Sequence, residues 1–258
     1  MQRIAVVTGA SSGIGEATAR ALTTAGWYCV LVARREDRLR ALAAEIGGEV
    51  ELCDVGDRES VEALAGRVLE RHPAIHLLVN NAGMPARGTY LTVDPEVVER
   101  VMDVNYLGGV WCSRAFMPGL EQAARGGGAN IVNLVSVAGT VSFAPAGAYA
   151  ASKHAQLAFS RSLAAALRGS GIAVHSILPG FVETEGFPQK AVLKSRLARR
   201  FVIEPDDVAN AILRAIEKDK AEIVVPWFPY RLIGIAQTLV PGVVGRFVGM
   251  SDYKSDAV

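Results

Sequence analysis

"VVTGASSGIGEATARAL", residues 6–22, passes from a β-branched apolar run through a glycine-rich turn into a helical pattern. Gly9, Gly13 and Gly15 stand at the junction. Glycine there lets the backbone turn sharply and approach a pyrophosphate, whose charge a helix N-terminus favours. The spacing is TGxxxGxG rather than GxGxxG, and an ordinary strand–helix turn is the other reading of these glycines. Placement straight after a buried strand at the start of the chain favours a dinucleotide. Ser11, Ser12 and Ile14, which lie between the glycines, are assigned to the same site.

Outward from this loop, strand-like and helix-like runs alternate. The strand candidates are Arg3–Thr8, Tyr28–Ala33, Val50–Cys53, His76–Asn80, Asn130–Ser136, Ala173–Leu178 and Glu222–Val225. Most are continuous Val/Ile/Leu stretches, as expected of strands buried on both faces. Helical patterns lie between them, including Arg58–Arg71 and Pro95–Met117, the second capped by Asp94 with Pro95 in its first turn. The expectation is an α/β fold: a doubly wound, Rossmann-type parallel sheet of about seven strands with helices on both faces. No linker or repeat divides the chain, so residues 1–258 read as a single domain.

Composition narrows the function classes. A formal net charge of +1 gives no basic field for nucleic acid. Cys29, Cys53 and Cys112 are scattered, without CxxC spacing, and read as reduced core thiols of a cytoplasmic protein. His72, His76, His154 and His175 form no metal-ligating pattern, so no metal site is expected. The chain enters a strand almost at Met1, and no secretory signal is read there.

The end of the second strand reads "VLVARRED", with Arg34 and Arg35 where a carboxylate would meet a free ribose 2′-hydroxyl. A guanidinium can pair bidentately with a 2′-phosphate instead. NADP(H) is therefore preferred, with NAD(H) as the alternative; solvated helix-start charges are the plain reading of both arginines. Asp54, followed by Val55, either accepts from an adenine amino group or caps the turn before Arg58.

Ligands of a doubly wound sheet gather beyond the carboxyl ends of its strands. Segments Gly9–Gly15, "NNAG" at 80–83, Ser136 and "PGFVET" at 179–184 all fall there. "YAASK" at 149–153 adds Tyr149 and Lys153, four residues apart on one helix face. Together with Asn105 in "MDVNYLG", these motifs make the chain resemble the compact, single-domain short-chain dehydrogenases/reductases from about Ile4 to Val225.

The resemblance implies an oxidoreductase that moves hydride between a nicotinamide and an alcohol or carbonyl carbon. It implies Tyr149 as general acid/base, Ser136 bonding the substrate oxygen, Lys153 gripping the ribose and depressing the phenol, and Asn105 holding a relay water. Thr184, after Pro179, Gly180 and Val182, would meet the nicotinamide carboxamide, and Asn81, Ala82 and Gly83 the adenine-ribose side. Lowering a phenol from about 10 to near 7 takes roughly 4 kcal/mol. A cation about 4 Å away supplies roughly that at an effective dielectric of 20.

Residues 185–201 fall where the family keeps a substrate lid. Its basic Lys190, Lys194, Arg196, Arg199 and Arg200 either face water or meet an anionic handle, and Phe143, Phe181 and Phe187 are candidate pocket walls. Residues 226–258 form an apolar extension, similar to family members that act on lipophilic alcohols and ketones. Subunit packing or a pocket lid is its first reading and peripheral membrane contact its second. The expected partners are a lipophilic small molecule and a second copy, as homodimer or homotetramer. A non-catalytic NADP(H) sensor and a ketoacyl-carrier reductase are the alternatives.

Overall fold

All seven strand-like runs become strands of one sheet in the computed structural model, which describes residues 2–142, 145–185 and 201–250. They are β1 (Arg3–Thr8), β2 (Trp27–Ala33), β3 (Glu49–Leu52), β4 (Leu77–Asn80), β5 (Ala129–Leu134), β6 (Ile172–Pro179) and, last in sequence, Glu222–Val225. Two further strands precede that last one, β7 (Phe181–Val182) and β8 (Val202–Ile203), which makes Glu222–Val225 β9. The sheet order is β3-β2-β1-β4-β5-β6-β9, and every pairing is parallel.

Successive side chains of a strand face opposite ways. Ala5, Val7, Cys29 and Leu31 accordingly meet Leu22 of α1 (Gly13–Thr24), Leu39 of α2 (Glu36–Ile46) and Ile212 of α8 (Pro205–Glu217). Ile4, Val6, Val30 and Val32 meet Leu64 of α3 (Arg58–Arg71), Cys112 of α5 (Gly108–Ala115) and Leu120 of α6 (Met117–Arg125). This is a doubly wound, Rossmann-type single domain with helices on both faces. Cys29, Cys53 and Cys112 are buried free thiols.

Two details differ from the expectation. The two-residue strands β7 and β8 form a separate parallel ribbon, too short to leave a sequence pattern. The expected Pro95–Met117 helix is in three parts: α4 (Pro95–Met102), one π turn over Asp103–Leu107, and α5. It ends at Ala115 because Pro118 lies in the first turn of α6, where a ring without N–H cannot continue the preceding helix. α3 itself is capped by Asp57, which accepts from Glu59 N; Asp54 caps the turn before it by accepting from Gly56 N at 3.0 Å, and Asp94 caps α4 as expected.

Candidate active site

β1, β4, β5 and β6 deliver Gly9, Asn81, Ser136 and Gly180 to one edge of the sheet. At the glycine turn, Gly9 (φ +68°) and Gly13 (φ +56°) are left-handed. A Cβ on Gly9 would lie 2.9 Å from Ala82 Cα, and one on Gly15 would lie 2.3 Å from Gly9 O. Ser11 is buried, and Ser12 and Ile14 lie half-buried in the turn.

Thr8, which the sequence reading did not single out, ties this turn to the "NNAG" segment. Its buried Oγ1 donates to Val79 O and accepts from Asn81 N at 3.0 Å and Ala82 N at 3.1 Å. Asn81 Nδ2 donates to Thr8 O at 2.8 Å. The side chain of Asn81 is thus committed to holding the two loops together.

The arginines separate. Arg35 turns into the glycine loop, its Nε donating to Ser11 Oγ at 3.1 Å and its Nη2 to Ser12 Oγ. Arg34 stays exposed and, among the described residues, reaches only Asp54, at 3.7 Å. Asp54 accepts from Gly56 N at 3.0 Å and from Arg100, while Val55 is buried beneath Gly108, whose added Cβ would lie 2.9 Å from Val55 O. Glu185 faces this rim from the far side. It takes a bond from Arg38 at 2.6 Å and lies 3.5 Å from Arg35. Arg38 holds the Glu185 carboxyl below the usual carboxylate range.

Asn105 sits in the π turn and is fully buried. Its Oδ1 accepts from Met84 N at 2.8 Å, and its Nδ2 donates to Met84 O and Ser152 Oγ, both at 3.0 Å. A π turn carries an extra residue per turn and is frequent at functional sites. Here it turns Asn105 inward to tie α4 to α7 (Gly147–Ala166), the helix that bears Tyr149. Ser152 donates onward to Tyr149 O at 2.7 Å. Ser152 and Ala150 are buried spacers, whereas Ala151 is exposed.

The Ser136 side chain stands near enough to the Tyr149 phenol to act on it as a hydrogen-bonding influence. Ser136 Oγ accepts from Ala138 N at 3.1 Å and donates to Pro179 O at 3.4 Å. Burial pushes the Tyr149 phenol up to about 12, and the lowering influence of Ser136 offsets only part of this. Lys153 is 4% exposed, and burial lowers it to about 7. Its Nζ lies 5.8 Å from the centre of the Tyr149 ring. Among the chain's own groups, then, desolvation outweighs the expected lowering of the phenol by Lys153. A Cβ on Gly83 would lie 3.8 Å from Lys153 Nζ and 3.3 Å from Asn105 Oδ1, so Gly83 faces both.

After β6, Gly180 is pressed against Tyr230, whose ring would lie 2.2 Å from an added Cβ. Tyr230 Oη accepts from Phe181 N at 3.5 Å and donates to Phe201 O at 3.1 Å, so it joins the ends of β7 and β8. Phe181 packs edge-on against the Tyr230 ring. The Thr184 side chain lies over the glycine turn, 3.1 Å from a Cβ built on Gly13, and Val182 pairs with Ile203. Phe143, Phe187, Lys190, Lys194, Arg196, Arg199 and Arg200 lie outside the described residues.

The extension forms α9 (Tyr230–Leu239) and α10 (Pro241–Met250), with Trp227, Phe228, Leu232, Ile235, Leu239 and Val243 exposed. No helix among the described residues is long and apolar enough to cross a membrane. No group of three or more His, Cys, Asp or Glu among them could hold a metal ion.

The pattern of the short chain dehydrogenase family matches residues 3–191. The Dehydrogenase/reductase SDR family protein 7-like of Anopheles gambiae is 35% identical over 240 residues, covering 86% of this chain and 74% of that protein. An alcohol dehydrogenase from Thermococcus sibiricus, complexed with 5-hydroxy-NADP, matches with a TM-score of 0.76 and 30% identity over 87% of this chain and 96% of that one. A short chain dehydrogenase/reductase from Burkholderia phymatum in complex with NAD matches with a TM-score of 0.80 and 29% identity, over 92% and 95%. The chain belongs to the short chain dehydrogenase family and is an oxidoreductase of the kind that binds a nicotinamide dinucleotide. One solved relative carries an NADP derivative and the other NAD, so the choice between them falls to this chain's own residues.

Proposed function

We propose that the chain is an NADP(H)-dependent oxidoreductase acting on a lipophilic secondary alcohol, ketone or aldehyde. The observation that carries this reading is the Tyr149 phenol set under the influence of Ser136, with the buried Lys153 one helical turn on and its Nζ 5.8 Å from the ring centre. The glycine turn fits the cofactor, since Gly9 and Gly15, where any Cβ would strike Ala82 or Gly9 O, keep the turn tight at the N-terminus of α1, where a pyrophosphate's charge is favoured. In this reading Gly9–Gly15 hold the pyrophosphate, Asp54 and Val55 the adenine, and Asn81–Gly83 the adjoining ribose. Pro179, Gly180, Val182 and Thr184 border the nicotinamide. When bound, the dinucleotide gives or takes the hydride.

The protein's own groups handle the proton. A phenol near 12 is protonated at neutral pH and can pass its proton to a carbonyl oxygen. Ser136 would bond the same oxygen through its hydroxyl. Lys153, while charged, would grip the ribose hydroxyls and favour the phenolate left behind. Both N–H donors of the Asn105 side chain are spent on Met84 O and Ser152 Oγ, so a relay water would be held by an oxygen of this residue.

Arg35 is the better candidate for a 2′-phosphate, because it already faces Ser11 and Ser12, whereas Arg34 lies against Asp54. Residues 185–201 serve as a substrate lid in this reading. The exposed face of α9 and α10 packs against a second copy in a homodimer or homotetramer, with peripheral membrane contact as the lesser reading. The protein acts in the cytoplasm.

The test is oxidation of NADPH and NADH by the purified chain with a panel of aldehydes and ketones. Turnover with NADPH that favours bulky lipophilic carbonyls is expected. Tight NADPH binding with no oxidation across the panel would point instead to a sensor or scaffold.

A further inference from the structure

Lys153 has three N–H donors. Two are taken within the protein: Nζ donates to Leu134 O at 2.9 Å and to Gln156 Oε1 at 2.8 Å. Gln156 lies one turn further along α7 and is 1% exposed. Helical side chains lean towards the N-terminus, so an acceptor three residues on reaches back to the lysine. A buried amide costs desolvation that an apolar side chain would not. The steps assigned to the catalytic group make no use of Gln156.

Among the described residues, the surroundings of Lys153 offer no carboxylate to balance its charge. β5 contributes the Leu134 carbonyl, the π turn the Asn105 amide, and the loop after β4 the bare backbone of Gly83. Ser136 and Tyr149 complete the wall, and Tyr149 is the titratable one of the two. His154, the next residue along α7, is exposed and bonds Ala150 O instead. Burial moves the lysine down from its ordinary value.

We propose that Gln156 is the positioning residue for Lys153: its amide oxygen holds the ammonium, keeps it charged and leaves the third N–H for the cleft at Gly83. The inference rests on the proposed role of Lys153 only for its effect on turnover. The lysine's own titration is independent of that role.

Two near-isosteric variants test it in the full-length chain. Gln156→Met removes the acceptor, and Gln156→Glu replaces it with a carboxylate. The Lys153 side chain is followed by carbon-13 NMR titration, its signal assigned by loss in Lys153→Met. Gln156→Met should lower the titration midpoint by about one unit and Gln156→Glu should raise it by at least about one. The alkaline limb of kcat/KM for carbonyl reduction should move the same way, about tenfold in rate at a fixed alkaline pH per unit.

A side chain that merely fills space would shift neither midpoint. If both variants fold and titrate with the wild type, or both move in one direction, the proposal is overturned. Should Gln156→Met fail to fold, the upward shift in Gln156→Glu carries the test alone. Opposite midpoint shifts with an unmoved rate profile would uphold the positioning role and refute the assignment of Lys153 to turnover.

Discussion

The corner around Tyr149 and the arginine rim serve the same cleft by opposite means. At the corner, Asn105, Ser136, Ser152, Lys153 and Gln156 are all buried and joined to named partners. At the rim, Arg35, Arg38 and Glu185 are about half exposed and tied by ion pairs. Buried polar groups left without partners cost about 1–3 kcal/mol each. Exposed ion pairs contribute about 0–1 kcal/mol and are screened by salt. Geometry is therefore fixed where the proton would move and left adjustable where cofactors would be told apart.

The largest effect should come from the corner. Lys153→Met is expected to lower kcat/KM for carbonyl reduction by at least about a hundredfold, measured with saturating NADPH. A loss under threefold would make the corner no more demanding than the rim.

Asn105→Leu should come next, because it strips Met84 N, Met84 O and Ser152 Oγ of a shared partner. A loss of about 3 kcal/mol in urea unfolding is expected. A loss below about 0.5 kcal/mol would show that the π turn stands without that amide.

Lys153 also gives the fold a pH signature. Its value in the folded protein, about 7, lies below the unfolded value near 10.5, so the unfolded chain binds more protons between these limits. Stability should therefore rise with pH from about 7 to 10, by up to roughly 1.4 kcal/mol per unit. Tyr149 acts in the opposite sense only above about 10, where the unfolded phenol ionises first. Lys153→Met should abolish the rise in denaturant midpoint, and a rise that persists in the variant would assign it to another group.

At the rim, Arg35→Ala should weaken NADPH binding about tenfold, or about 1.4 kcal/mol, and NADH binding less than twofold. Equal losses would remove Arg35 from a phosphate site. The difference should shrink at high salt. The smallest effect on turnover belongs to Leu239→Glu, on the exposed face of α9. Turnover within about twofold of wild type is expected, with a smaller particle mass by light scattering. An unchanged mass would take that face out of any subunit contact.

What could be read from the sequence follows the same division. Strands buried on both faces leave long β-branched runs, so all seven strands of the main sheet were legible, with ends off by one or two residues. The glycine turn was legible because only glycine tolerates the approach to Ala82 and the left-handed φ at Gly9. Long-range hydrogen bonds leave no such trace. Thr8 as the bolt between two loops and Glu185 across from Arg38 join residues with no shared periodicity. The π turn at Asn105 hides inside an apolar helical pattern, since one extra residue in a turn barely disturbs it. The phenol's upward displacement was missed because counting one nearby cation ignores the desolvation that burial brings to both groups.

The measurement closest to the centre is a paired one on Tyr149→Phe: NADPH affinity by fluorescence titration, and carbonyl reduction under saturating NADPH. If the Tyr149 hydroxyl supplies the proton, affinity stays within about threefold of wild type while turnover falls by about a hundredfold or more. Turnover that survives in the phenylalanine variant would contradict the account.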